Sequence, residues 1–359
     1  MPDALTQDDL PALALGCAVL GTGGGGDTSV EELAAHLALE ACGSVPLLRL
    51  DELDPGDLVL PLSMIGAPTV ASEMVGSGRE AAAVRELAEH TTGRRVAAVM
   101  PTEIGGANGL AAVTWAAQLG LPLVDADGMG RAFPELPMVS FHVAGLRSEH
   151  LFLADTLDNR AVLQPRDAGW AERWARALCV ASGSQALLCD CLLTPADEHA
   201  VIPGTVSHAR RLGRAIRSAD EPLTALVATL GAHLLISGTI DDLARDTHEG
   251  FVRGQVTVGG RGSNHGRRVS IDVQNENLVA REDARVLASV PDLITVCDTA
   301  TAIPLATEAL AYGQRVSVLA WPCHPLWRSP EGLAVAGPQA FGYRHPYRPV
   351  PHTERHATA

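Results

Sequence analysis

The 359-residue chain contains no lysine, so all 27 of its positive charges are arginine. That absence excludes imine chemistry on a lysine, and with it pyridoxal-phosphate catalysis and class I aldolase mechanisms. It equally excludes a P-loop, whose lysine reaches the transferred phosphates. Aromatic residues make up only 4% of the chain, too few for the stacking platforms that hold single-stranded nucleic acid. Positive charge is itself scarce: 42 acidic residues against 27 arginines leave a net charge of -15, which opposes nucleic acid backbones and anionic membranes. No apolar run reaches the ~20 residues needed to span a bilayer. The acidic start, Met1 to Asp9, lacks the positive segment of a secretion signal, so a cytoplasmic protein with neither nucleic acid nor membrane as partner is expected. Neither G-x-S-x-G nor H-E-x-x-H occurs. The seven cysteines are odd in number and dispersed, as suits reduced, buried thiols. Cys189 and Cys191 are the one close pair, and their C-x-C spacing has no second pair to complete a zinc site.

What is present suits an ordinary globular protein with a sizeable core, 47% hydrophobic and 19% charged, and long enough for two domains. Apolar spacing predicts a helix over 8–20. Thr28 and Glu31 form a T-x-x-E capping box that opens a second helix to about residue 42. Strands are predicted at 45–50, 57–62, 96–100, 121–124 and 138–143, the last placing Ser140 and His142 on one face. Helices are predicted at 79–90, stopped by Gly93, and at 109–119. This alternation indicates a Rossmann-like α/β domain over 1–165. Beyond it, helices at 166–182 and 205–216 and a buried strand at 186–193 precede strands at 234–240, 254–259, 268–273, 293–297 and 315–320 with glycine turns. A β-rich α+β domain is therefore expected over 166–359, ending in a frayed tail after Pro351.

The richest stretch runs from Glu103-Ile-Gly-Gly-Ala-Asn108 to Asp125-Ala-Asp-Gly-Met-Gly-Arg-Ala-Phe-Pro-Glu135. It sets carboxylates among glycines just beyond two strands, where open α/β sheets bind ligands. Asp125 and Asp127, two apart, can share a proton as acid and base or bind one divalent cation, with His142 as a nitrogen ligand. Glu103 and Glu135 add acids, and Arg131 a cation for developing negative charge. The structural alternative has Asp127 capping a turn with Gly128 and Glu135 pairing with Arg131. Gly21 to Gly26 lies between two helices, unlike a dinucleotide fingerprint, so no nicotinamide cofactor is expected. Gly23, Gly24, Gly25 and Gly26 either cradle an anion or carbonyl on backbone N–H groups or let two helices pack tightly. Asn108, Asn275 and Asn277 can hold a planar amide edge. The amide cluster Gln274 to Asn277 is equally a turn. Cys323 and His324 point opposite ways on an extended segment and read as structural.

Leu20 to Asp27, Glu103 to Asn108, Asp125 to Glu135, Gln274 to Val279 and Gly337 to Gly342 occur in this order. Together they resemble the S-methyl thiohydantoin desulfurase family, with the likeness running over nearly the whole chain. The resemblance implies an α/β domain followed by a β-rich one, and an association with hydantoinase- or oxoprolinase-like proteins. It implies water attack at C2 of a thiohydantoin ring with release of sulfur. In that scheme Asp125 or Asp127 is base or metal ligand, Arg131 or the glycine loops stabilise the anion, and Asn108 and Asn275 hold the ring. The alternative is a non-catalytic partner subunit of a hydantoinase-like enzyme. A small-molecule substrate and self-association into a homo-oligomer are expected.

Overall fold

The computed structural model describes residues 3–66, 76–248 and 251–351. The expected tail after Pro351 lies outside them. The first half forms an eight-stranded sheet from β1 (Ala4–Leu5), β2 (Val45–Leu48), β3 (Leu58–Gly66), β4 (Val96–Pro101), β5 (Leu123–Val124), β7 (Leu151–Ala154), β8 (Arg160–Leu163) and β9 (Gln185–Cys189), in the order β1-β2-β5-β4-β3-β9-β7-β8. Its centre, β2, β5, β4 and β3, is parallel, whereas β9, β7 and β8 extend it antiparallel. Every residue of β4 is buried, the mark of a strand covered on both faces. The short β6 (Ala126–Asp127) pairs with β10 (Ile202–Pro203) outside the main sheet.

The covering helices are α1 (Leu10–Leu20), α2 (Ser29–Cys42), α3 (Glu80–Thr92), α4 (Ala107–Leu119), the short α5 (Ser140–Val143), α6 (Ala168–Ala181) and α7 (Thr205–Ser218). Residues 166–218 thus supply α6, β9 and α7 to this first layer. α4 is an apolar helix buried over its first ten residues, and Gly120 ends it in the left-handed region at φ 63°. Gly93 stops α3 in the same way, as expected, at φ 66°.

Three local expectations are corrected. The T-x-x-E box does not form: Asp27 accepts from the Ser29 backbone N–H at 2.9 Å instead, and Thr28 makes no cap. Residues 138–143 are not a strand, because Ser140 turns into α5 when its backbone N–H donates to the Gly128 carbonyl and its hydroxyl to the Ala200 carbonyl at 2.6 Å. The predicted 45–50 strand stops at Leu48.

The second half is an antiparallel seven-stranded sheet of β11 (His233–His248), β12 (Phe251–Gly260), β13 (Arg268–Gln274), β14 (Glu276–Glu282), β15 (Arg285–Ser289), β16 (Leu293–Asp298) and β17 (Arg315–Trp321), ordered β15-β14-β13-β12-β11-β17-β16. Its own core includes Ile236, Val256, Ile271, Val296 and Val318. The chain is therefore an α/β unit with a parallel-centred sheet followed by a β-rich half. The main core nevertheless crosses between them, since Leu278, Val279, Leu293 and Leu319 cluster with Leu13, Val19 and Leu110. Among the described residues no helix is long and apolar enough to cross a membrane.

Candidate functional site

Four segments meet where the halves join: the glycine loop after α1, the Glu103–Asn108 loop after β4, the Asp127–Arg131 turn, and the β13–β14 turn. The glycine loop holds them together. Thr22 accepts at its carbonyl from the Asn277 backbone N–H, Gly23 from that of Thr307 and Gly25 from that of Ala107, each at 2.8 Å. Gly23, Gly25 and Gly26 have φ of 91°, 77° and 81°, backbone that a side chain would strain. Space is as tight as conformation: a Cβ on Gly24 would strike the Glu276 carboxyl, and one on Gly25 the backbone of Gly105 and Gly106. The glycines thus permit close approach, but the partners are the two halves of the protein rather than two helices. Gly24, Gly25 and Gly26 remain partly exposed.

Beneath this loop lie two carboxyls, one from each half. Glu103 is buried, its Oε1 accepting from Asn108 Nδ2 at 2.6 Å and its Oε2 from the Phe133 N–H at 3.4 Å. Burial pushes Glu103 up to about 7, against the pull of those two donors. Glu276, at 2% exposure, is pushed up to about 8 by burial, opposed by the Arg131 cation and reinforced by the charge of Glu103. The mutual repulsion falls on whichever carboxyl ionises second, here Glu276. Glu276 Oε2, Asn277 Oδ1 and Thr102 Oγ1 are buried polar atoms with no hydrogen-bond partner among the described residues. Such unsatisfied groups are uncommon in folded interiors and concentrate where a ligand or water completes the set.

Arg131 is fully buried and spends its donors on protein. Nε donates to the Ala132 carbonyl, Nη1 to those of Pro291 at 2.8 Å and Asp292 at 3.1 Å, and Nη2 to Thr22 Oγ1 at 3.0 Å. Its guanidinium carbon lies 4.5 Å from the Phe133 ring centroid. Burial lowers Arg131 to about 10, so it stays cationic at neutral pH. It acts on the Glu276 carboxyl through its field while clamping the two halves.

Of the other predicted residues, Asp127 and Asn277 lie at the junction but in structural roles, while Asp125, Glu135 and His142 lie elsewhere. Asp127 fits the turn-capping alternative: its Oδ2 accepts from the N–H groups of Ile104 at 2.8 Å, Met129 at 3.0 Å and Gly130 at 2.8 Å. Burial raises Asp127 to about 7, countered by those same N–H groups. Asp125 points elsewhere and accepts from the Ser207 N–H at 2.9 Å, capping the first turn of α7. His142 meets Ser148 Oγ at 3.2 Å and Asp190 at 3.4 Å. Asp125, Asp127 and His142 therefore do not form a cation site, because each already serves a different partner. Among the described residues no three His, Cys, Asp or Glu side chains are grouped to hold a metal. Glu135 departs from both expectations: it lies beside Glu172 and Arg176 of α6, and burial raises its carboxyl. Asn275 takes the left-handed turn position at φ 57° between β13 and β14, and its carbonyl accepts from Thr307 Oγ1 at 2.6 Å. Asn277 ties β14 to β16 by donating from Nδ2 to the Ile294 carbonyl at 3.1 Å. The residue that single-site reasoning passed over is Glu276. Its signal was an acid set between two asparagines at a strand end, within a segment already noted for its amides.

The chain belongs to the S-Me-THD-like family: the model of that family's N-terminal domain matches residues 8–165 and that of its C-terminal domain residues 166–350. It is similar to a protein from Chromobacterium violaceum known from an X-ray crystal structure. The two share 26% identity at a TM-score of 0.82, over 97% of this chain and 100% of that one. No curated protein matches the chain.

Proposed function

We propose that the protein is a hydrolase acting on a small cyclic amide of the thiohydantoin type. The observation that carries this reading is the buried pair Glu103 and Glu276, contributed by opposite halves and raised to about 7 and about 8. Between those values Glu103 is ionised while Glu276 keeps its proton, the division of labour that acid–base hydrolysis needs at neutral pH. Glu103 takes a proton from water as the new C–O bond forms at C2 of the ring and the C2–N π pair moves onto the ring nitrogen, to return when sulfur departs. The C2–S bond then breaks, and the sulfur leaves as a thiol after accepting the Glu276 proton. The Arg131 cation nearby lowers the cost of negative charge on the tetrahedral intermediate. Water and ring substrate supply every atom of this scheme.

The test is release of free thiol from an S-methyl thiohydantoin by the purified protein, followed with a thiol reagent. Glu103→Gln and Glu276→Gln should each lower kcat by about 100-fold or more, the usual worth of a positioned acid or base. Full activity in both variants would refute the pair. No turnover by the parent alone, with turnover on adding a hydantoinase-like protein, would favour the partner-subunit reading.

A further inference from the structure

A second feature lies on the first layer, away from the junction. A cavity of about 150 Å³ opens at the carboxyl end of β3, between α2, α4 and the start of β9. A cavity of this size holds a ring as large as benzene. Its position, beyond the end of a parallel strand, is where open α/β sheets take their ligands.

The wall is polar in a selective way. Gln185 and Thr114, each at least nine-tenths buried, line the cavity, and Gln185 Oε1 and Thr114 Oγ1 have no hydrogen-bond partner among the described residues. An unsatisfied amide oxygen in such a wall calls for an N–H or O–H donor from a guest. The carboxyls of Glu31 and Glu80 line the same space, with Trp115 and Leu187 as apolar walls. Glu80 already accepts from the Ser77 N–H at 2.6 Å, and burial raises the Glu31 carboxyl above its ordinary value. No arginine lines the cavity among the described residues, and the chain has no lysine to offer. An anionic guest would meet two acids and no countercharge.

We propose that this cavity binds a neutral, planar cyclic amide that donates an N–H to Gln185 Oε1, and that it rejects the ring-opened carboxylate. The cavity wall also touches the chemistry: the backbone N–H of Met64, a lining residue, donates to Asn108 Oδ1 at 2.7 Å, and Asn108 Nδ2 holds Glu103. The choice of a cyclic amide rests on the reading above; the wall supplies the acceptor for an N–H donor and the bar to an anion.

Calorimetry with hydantoin and with N-carbamoylglycine, its ring-opened acid, tests this on the full chain. Hydantoin should bind the parent, and Gln185→Leu should weaken it at least tenfold; Thr114→Val, the milder change, guards against a folding defect in the first variant. N-carbamoylglycine should bind at least tenfold more weakly than hydantoin, and Glu31→Gln should narrow that gap. Hydantoin affinity unchanged in folded Gln185→Leu and Thr114→Val, equal binding of the acid, or no hydantoin binding at all would overturn the assignment. If hydantoin binds through Gln185 yet no thiol is released, the hydrolase reading fails while this site stands. If thiol is released and hydantoin affinity is the same in folded Gln185→Leu as in the parent, the reverse holds.

Discussion

Replacing Glu276 by glutamine should change how stability depends on pH, in a direction fixed by burial. In the unfolded chain this carboxyl ionises near its ordinary 4.5, and in the folded protein near about 8. Across that window the native state holds a proton that the unfolded state has released, so stability falls as pH rises. The slope per group is at most about 1.4 kcal/mol per pH unit, and the full shift corresponds to about 5 kcal/mol. That figure is an upper bound, because an ionised Glu276 can relax towards Arg131. Its 2% exposure leaves little solvent to screen the effect. Glutamine keeps the shape and stays neutral, so it removes this component of the slope. Urea unfolding of parent and Glu276→Gln at intervals from pH 5 to 9 measures it. The variant should gain on the parent by at least about 1 kcal/mol between pH 6 and 9, less than one group's full slope. Parallel curves would show that Glu276 is not held protonated in the fold. Glu103→Gln should act over a window ending near 7, and because its charge raises Glu276, the two single effects should not add.

Thiol release should follow a bell in kcat/KM, rising through about 7 as Glu103 ionises and falling through about 8 as Glu276 loses its proton; a flat profile from pH 6 to 9 would exclude both assignments. Gly24→Val should abolish turnover with a smaller loss of stability, since its Cβ would displace the Glu276 carboxyl rather than backbone; equal losses by thermal melting and assay would assign the loop to packing alone. Asp127→Ala should cost about 3 kcal/mol or more by leaving buried N–H groups unpaired, whereas Asp125→Ala should cost about 1 kcal/mol as the loss of a helix cap. Comparable stabilities in urea would contradict these roles.

The sequence carried the layered fold because periodicity and turn chemistry are local. The buried β4 and the glycine-stopped α3 and α4 were legible in the spacing of apolar residues and in Gly93 and Gly120. Spacing makes Ser140 part of a strand, whereas its conformation is set by the Gly128 and Ala200 carbonyls, one twelve and the other sixty residues away. The acidic stretch lies beside the junction of the two halves, but spacing does not say which carboxylates are spent on the turns around them. Asp125 and Asp127 sit two apart, a spacing that would share a face on a regular strand, yet one turns to α7 and the other into its own turn. Glu276 could not be paired with Glu103 from the sequence, because only docking of the two halves brings them under one loop.

That docking explains why the acids tolerate burial. A lone carboxyl in the interior is costly when charged, and most proteins avoid the cost by leaving acids at the surface. Here Arg131 crosses from the first half to the carbonyls of Pro291 and Asp292, fixing a cation near Glu276. The Asp292 carboxylate in turn accepts from the Cys323 and Val350 N–H groups, from Arg328 and from the Tyr347 hydroxyl. One turn therefore ties the first half, the second sheet and the segment out to residue 350 together. A carboxyl pair held near neutrality needs this frame, because a loosened junction would admit water and return both acids towards their ordinary ionisation. The same contacts that join the halves thus set the proton affinities on which the proposed chemistry depends.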